Sequence, residues 1–231
     1  MQIGFWGKIP TTGDFVSRGV RSELIDGFDS WLQHGVSHSK ELLQDRWLEK
    51  YLTAHIWRFY AKNTFSADSV CTGVICPSVD RVGRYFPLIF VLELRVENAW
   101  DISCLQTRRS WFTALESIAL RALHEPLDAD TLQAELTKVS VQLSDMKIPE
   151  SENVMGVELG LSSSDLNTWN ANWLTIINML CDDVDYSVWQ AVDSADERFS
   201  KILTAKGVLS DEFYTSLINE VVAVRSSEEN K

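Results

Sequence analysis

The chain has 231 residues, 45% of them hydrophobic, with nine tryptophans and ten phenylalanines, which is enough to bury a normal core and excludes wholesale disorder. Its 33 acidic and 21 basic residues leave a net charge of −12, a balance that disfavours nucleic acid and anionic membrane as partners, because both require a basic footprint. No apolar run reaches the roughly 18–20 residues of a membrane span, so no direct membrane insertion is expected.

Residues 3–9 (IGFWGKI) read as a short strand, and the start as a whole has no basic region followed by an apolar core, so no signal peptide is expected. PTTGDFVSRG (10–19), with Pro10, Gly13 and Gly19, reads as an irregular loop. From Ser22, taken as the cap, Leu24, Ile25, Phe28, Trp31 and Leu32 share a helical face that extends past Gly35 toward Leu43. WLEKYL (47–52) is a helical turn or two, and HIWRFYA (55–61) suits a strand. CTGVIC (71–76) and FPLIFVLEL (86–94) form a central hairpin around the charged stretch PSVDRVGRYFPL (77–88).

Leu105, Phe112, Leu115, Ala119 and Ala122 predict one long amphipathic helix to about residue 123, stopped by His124–Pro126. A second helix starts at Asp128 or Asp130, with Leu132, Leu136, Val139 and Leu143 on one side. SDMKIPESEN (144–153) reads as a surface loop and residues 164–180 as a helix. YSVWQAV (186–192) and FSKILTA (199–205) alternate like strands, and SDEFYTSLI (210–218) is a capped short helix. The charge is uneven: residues 1–98 hold 11 basic and 11 acidic residues, the remainder 10 basic and 22 acidic. Partners are therefore expected to be proteins, including ones with basic surfaces, or small molecules.

Signatures of catalysis are scarce. Gly7-Lys8 is followed by Ile9, so the Walker pattern fails, and no GxGxxG or GxSxG occurs. His34 and His38 are spaced to share a helical face, but with no HExxH and no third ligand beside them they read as an exposed edge. Asp182, Asp183 and Asp185 lack the glycine and distant glutamate of a calcium loop. Cysteines 71, 76, 104 and 181 show no metal spacing and read as reduced thiols. Trp31, Trp47, Trp57 and Trp111 sit among apolar neighbours and read as core. No catalytic residue, metal site or cofactor is expected.

What stands out is a polar set in two loops: Lys8, Asp14 and Arg18 in the first, and Ser78, Asp80, Arg81 and Arg84 in the second. Either these groups bond one another, with Asp14 and Asp80 accepting from Arg81, Arg84 or Arg18, or one edge of the cluster docks a partner. Of the three groups on the charged turn, Asp80 and Arg84 are expected to brace their own loop, with Arg81 as the exposed contact.

GFWGKIPTTGDFVSRG (4–19), WLEKYLTAHIWRF (47–59) and GVICPSVDRVGRYFPL (73–88) are three long, unusual blocks. On them the chain resembles the N-terminal domain family of TagF, a type VI secretion-associated protein. The family's signature positions fall on Lys8, Pro10, Gly13, Asp14, Phe15, Pro77, Ser78, Asp80, Gly83, Arg84 and Pro87. A looser match at 187–213 departs from the family's Gly-Leu-Pro, since Val208-Leu209-Ser210 follows Gly207. The resemblance implies a cytoplasmic, post-translational repressor of the secretion apparatus that engages its forkhead-associated (FHA) scaffold protein. Some relatives carry a fused PP2C-type phosphatase, for which these 231 residues leave no room, so that activity is expected elsewhere.

The expected fold is α/β in the α+β sense, with a mainly antiparallel or mixed central sheet and helices on its faces. A single TagF-like domain is expected over residues 1–222, with a flexible polar tail at 223–231. The expected function is non-enzymatic regulation. The rivals are an enzyme or sensor of a phosphate-containing ligand, held by Lys8, Arg18, Arg81 and Arg84, and a structural accessory subunit.

Overall fold

The computed structural model describes residues 1–145, 185–192 and 199–219. The expected helix at 164–180, the tail at 223–231, Cys181, Asp182 and Asp183 lie outside the described residues, as does the expected loop beyond Asp145.

Seven strands form one sheet: β1 (Ile3–Gly7), β2 (Val16–Arg18), β3 (Trp57–Lys62), β4 (Ser69–Cys76), β5 (Leu88–Arg95), β6 (Tyr186–Val192) and β7 (Phe199–Lys206). Their order is β2-β1-β5-β4-β3-β6-β7, and every neighbouring pair is antiparallel. The fold is thus α+β with an antiparallel sheet. The hairpin β4–β5 sits at its centre, where both faces must be buried, and this explains why CTGVIC and LIFVL are almost continuously apolar.

Strand alternation sends residues to two separate cores. Leu88, Phe90 and Leu92 of β5 pack with Phe112, Leu115 and Ala119 of α4 (Arg109–His124) and Leu132 of α5 (Ala129–Asp145). Ile89 and Val91 face Leu24, Phe28 and Leu32 of α1 (Ser22–Leu43), joined by α2 (Trp47–Leu52) and α6 (Asp211–Ile218). The sheet is therefore sandwiched between two helical layers. Trp189 of β6 stacks on Phe59 of β3 with ring centroids 5.0 Å apart, an aromatic pair that adds about 0.5–1.5 kcal/mol to its area burial. Trp31, Trp47, Trp57 and Trp111 are all buried, as their neighbours imply.

Four local expectations change. Ser22 is the first helical residue, and the capping position belongs to Arg21, which makes no side-chain cap. Residues 16–18 are an edge strand rather than part of an irregular loop, pairing Val16 with Gly7 and Arg18 with Phe5. The single long helix is broken into α3 (Cys104–Thr107) and α4 at Arg108, whose φ of −113° and ψ of 39° are not helical. Its guanidinium lies 4.0 Å from the Trp100 ring centroid. Leu105 and Phe112 stay in phase across the break, so hydrophobic spacing could not reveal it. Finally, α5 runs to Asp145, into the stretch read as loop. The expected caps of α5 and α6 form: Asp128 accepts from the Thr131 amide at 2.8 Å and Ser210 from the Phe213 amide at 3.3 Å.

Candidate functional site

β1 ends at Gly7, whose φ is 137° and where a Cβ would stand 2.2 Å from the Pro87 carbonyl oxygen. Only glycine permits this approach, and it delivers Lys8 beneath the loop that joins β4 to β5. Lys8 is 5% exposed and Asp80 only 3%, and the Lys8 ammonium reaches Asp80 Oδ2 at 2.8 Å. The same oxygen accepts from Arg84 Nε at 2.7 Å. Oδ1 accepts the amides of Val82 at 3.0 Å and Arg84 at 2.9 Å, closing an Asx-type turn around Gly83, where φ is 84°. Burial works to raise the Asp80 carboxyl, but the Lys8 ammonium, the amides and the Arg84 guanidinium hold it well below the usual carboxylate range.

The two loops are then bolted together. The Arg81 amide donates to Thr12 O at 2.8 Å, Ser78 Oγ donates to Lys8 O at 2.7 Å, and the Arg84 guanidinium donates to Gly13 O. From the helical layer the Tyr51 hydroxyl donates to Ser78 O and accepts from Ser78 N, both at 2.9 Å. Beside this network Phe15 stacks on Trp6, with centroids 5.7 Å apart and planes 10° apart, and meets Phe86 edge-on at 4.9 Å. The Lys8 ammonium lies 5.1 Å from the Phe15 ring centroid.

Of the seven sequence-predicted residues, Lys8, Ser78, Asp80 and Arg84 converge on one buried network. Arg81 joins it only through its backbone, and its side chain is exposed. Asp14 contributes its backbone carbonyl, which accepts from the Thr12 hydroxyl at 3.0 Å, while its side chain is exposed and takes no part in the arginine network. Arg18 is drawn away to Asp130 at the start of α5, at 3.1 Å. Sequence reasoning placed no partner-facing role on Phe15 or Val82, 44% and 64% exposed, nor a bracing role on Tyr51. Phe15 and Tyr51 both lie in the quoted sequence blocks; Val82 has no signal beyond being an apolar residue at the tip of a charged turn.

Elsewhere, the imidazole of His38 turns to Thr215 at 3.1 Å on α6 and not to His34. No group of three or more metal-ligating side chains occurs among the described residues. Cys71, Cys76 and Cys104 are free, and burial pushes each thiol up to about 12. No helix among the described residues is long and apolar enough to cross a membrane.

A family model described as "TagF N-terminal domain, Type VI secretion system-associated" matches residues 4–139. The chain belongs to this family. The TagF N-terminal match spans β1 through most of α5, and so contains both loops of the buried network. Three solved chains are similar. One is the crystal structure of PA0076 from Pseudomonas aeruginosa PAO1 at 2.05 Å resolution, which aligns over 100% of both chains with 26% identity and a TM-score of 0.70. No curated protein matches. Of the positions that carry the resemblance, Lys8, Ser78, Asp80 and Arg84 build the network, whereas Asp14 and Phe15 reach solvent beside it.

Proposed function

We propose that this chain is a non-enzymatic, cytoplasmic regulator that restrains assembly of the type VI secretion apparatus by binding an FHA-domain scaffold protein. The observation that carries the reading is membership of a type VI secretion-associated family, whose match contains the two loops tied together through Lys8, Asp80 and Arg84. A regulator that must recognise one protein benefits from such pre-ordering, because fewer degrees of freedom are lost on binding. The phosphate-ligand alternative gains no support from the geometry: Lys8 and Arg84 already hold Asp80 and Arg18 holds Asp130, so three of the four cations have a carboxylate partner and Arg18 is turned away from the other three.

The test pairs genetics with biochemistry. Deleting the gene should raise the frequency of secretion events, and purified scaffold should be captured by the purified chain. Unchanged firing together with no capture would overturn the reading.

A further inference from the structure

We infer that the outer face of the two bolted loops is a docking surface for an acidic protein segment that carries an apolar side chain. Phe15 and Val82 act as its apolar anchors, and Arg81 and Arg84 form its charged rim. The inference rests on the functional reading above and deepens it by naming the face and the chemistry of the partner.

Three observations meet there. First, Phe15, directly before β2, and Val82, in the turn between β4 and β5, are large apolar side chains left 44% and 64% exposed on loops that are otherwise tightly bonded. Phe15 is held from behind by Trp6 and Phe86, so little side-chain entropy remains to be lost on contact. Second, the arginines frame the same segment. The Arg84 guanidinium bonds Gly13 O with its side chain still 57% exposed, and a Cβ on Gly13 would stand 3.8 Å from the Arg81 guanidinium. Both are thus within two residues of Phe15 in the first loop. No carboxylate pairs with Arg81 among the described residues. An ordered aromatic flanked by arginine is the composition of energetically dominant contacts in protein interfaces. Third, residues 8–18 and 77–87 hold four basic and two acidic residues in a chain of net charge −12. Lys8 and Asp80 are both sealed inside and paired, and Arg18 is held by Asp130, so the remaining charges that reach solvent are Arg81 and Arg84 against Asp14, a locally positive set on an acidic molecule. That charge complements an acidic segment, and the overall −12 argues against an extended polyanion such as nucleic acid.

The experiment is a titration of the purified FHA scaffold against wild type, Arg81→Glu, Val82→Asp and Leu120→Asp. The last lies on α4, 47% exposed, and serves as the remote control. Arg81 and Val82 make no side-chain bonds that the fold needs, so both variants should melt with wild type. Each should weaken binding by about tenfold or more, while Leu120→Asp leaves it unchanged, and added salt should weaken the wild-type complex. Wild type binding with both loop variants unimpaired overturns this face and leaves the functional reading standing. Failure of wild type to bind the scaffold overturns that reading and this proposal with it. Self-association of wild type that is lost in the loop variants makes a second copy the occupant, and overturns the acidic-partner proposal.

Discussion

Asp80 shows how one side chain organises a loop of several residues. Its two oxygens take four hydrogen bonds, two of them from cations, in a place almost closed to water. In the unfolded chain the carboxyl returns to about 3.9, whereas in the fold it is held well below that. Below about pH 4 the unfolded chain therefore takes up a proton that the folded site refuses. The stabilisation is fully present above that pH and is lost as the pH falls toward the folded value. Asp80→Asn has no charge to lose at any pH. Its urea midpoint should lie well below wild type at pH 7, and the gap should narrow as both are taken from about pH 4 downward. A gap that stays constant with pH would assign the cost to shape rather than charge. Part of this network was legible in the sequence, because Asp80 and Arg84 are neighbours across a turn containing glycine. Lys8 was named in the polar set but not as the partner of Asp80, and Tyr51 was not named, since the first lies 72 residues away and the second 27 residues away from its bonding partner, and only the register of β1 on β5 brings Lys8 home.

At the scale of elements, periodicity reported what buries a face and missed what does not. α1, α5, β4 and β5 each repeat an apolar pattern over enough residues to be read. β2 has three residues at the sheet edge and no pattern, and is held as a strand by pairing with β1 rather than by propensity. The contact between α1 and α6 depends on a residue that sequence patterning treats as a weakness. Gly35 lies mid-helix, and a Cβ there would stand 2.5 Å from Tyr214 Cβ and 2.8 Å from its ring. Alanine normally gains about 1 kcal/mol over glycine in a helix interior. Here the first atom it meets is the root of a fully buried side chain, which cannot swing aside, so the two helices must part. Overpacking of this kind costs about 1–3 kcal/mol, which outweighs the gain. Gly35→Ala should lower the melting temperature by a few degrees. A rise would mean that α6 is free to shift on α1.

For the whole molecule, the boundary of the family match and the boundary of the sheet do not coincide. The match ends at residue 139, yet β6 hydrogen-bonds to β3 along its full length from Trp57 to Lys62, and β7 to β6. Trp189 of β6 fills the core between Phe59 and Trp31, and the Trp57 indole donates to Leu217 O at the end of α6 at 2.9 Å. The strands at 186–192 and 199–205 were readable from their alternation, but nothing local said that they join the edge formed by β3. That pairing is settled by burial. β3 carries Trp57, Phe59 and Ala61 on one face and Arg58 and Tyr60 on the other, all of them buried, so it cannot serve as an outer edge. A fragment of residues 1–145 would leave this strand unpaired and strip the covering from three aromatic residues. It should therefore aggregate or bind an apolar dye and unfold without cooperativity, while 1–219 melts sharply once the segment between α5 and β6 is retained. Calorimetry of the two fragments checks this. A sharp transition for 1–145 near that of the full chain would mean that the folding unit ends with the family match, and that the last two strands and α6 are an addition to it.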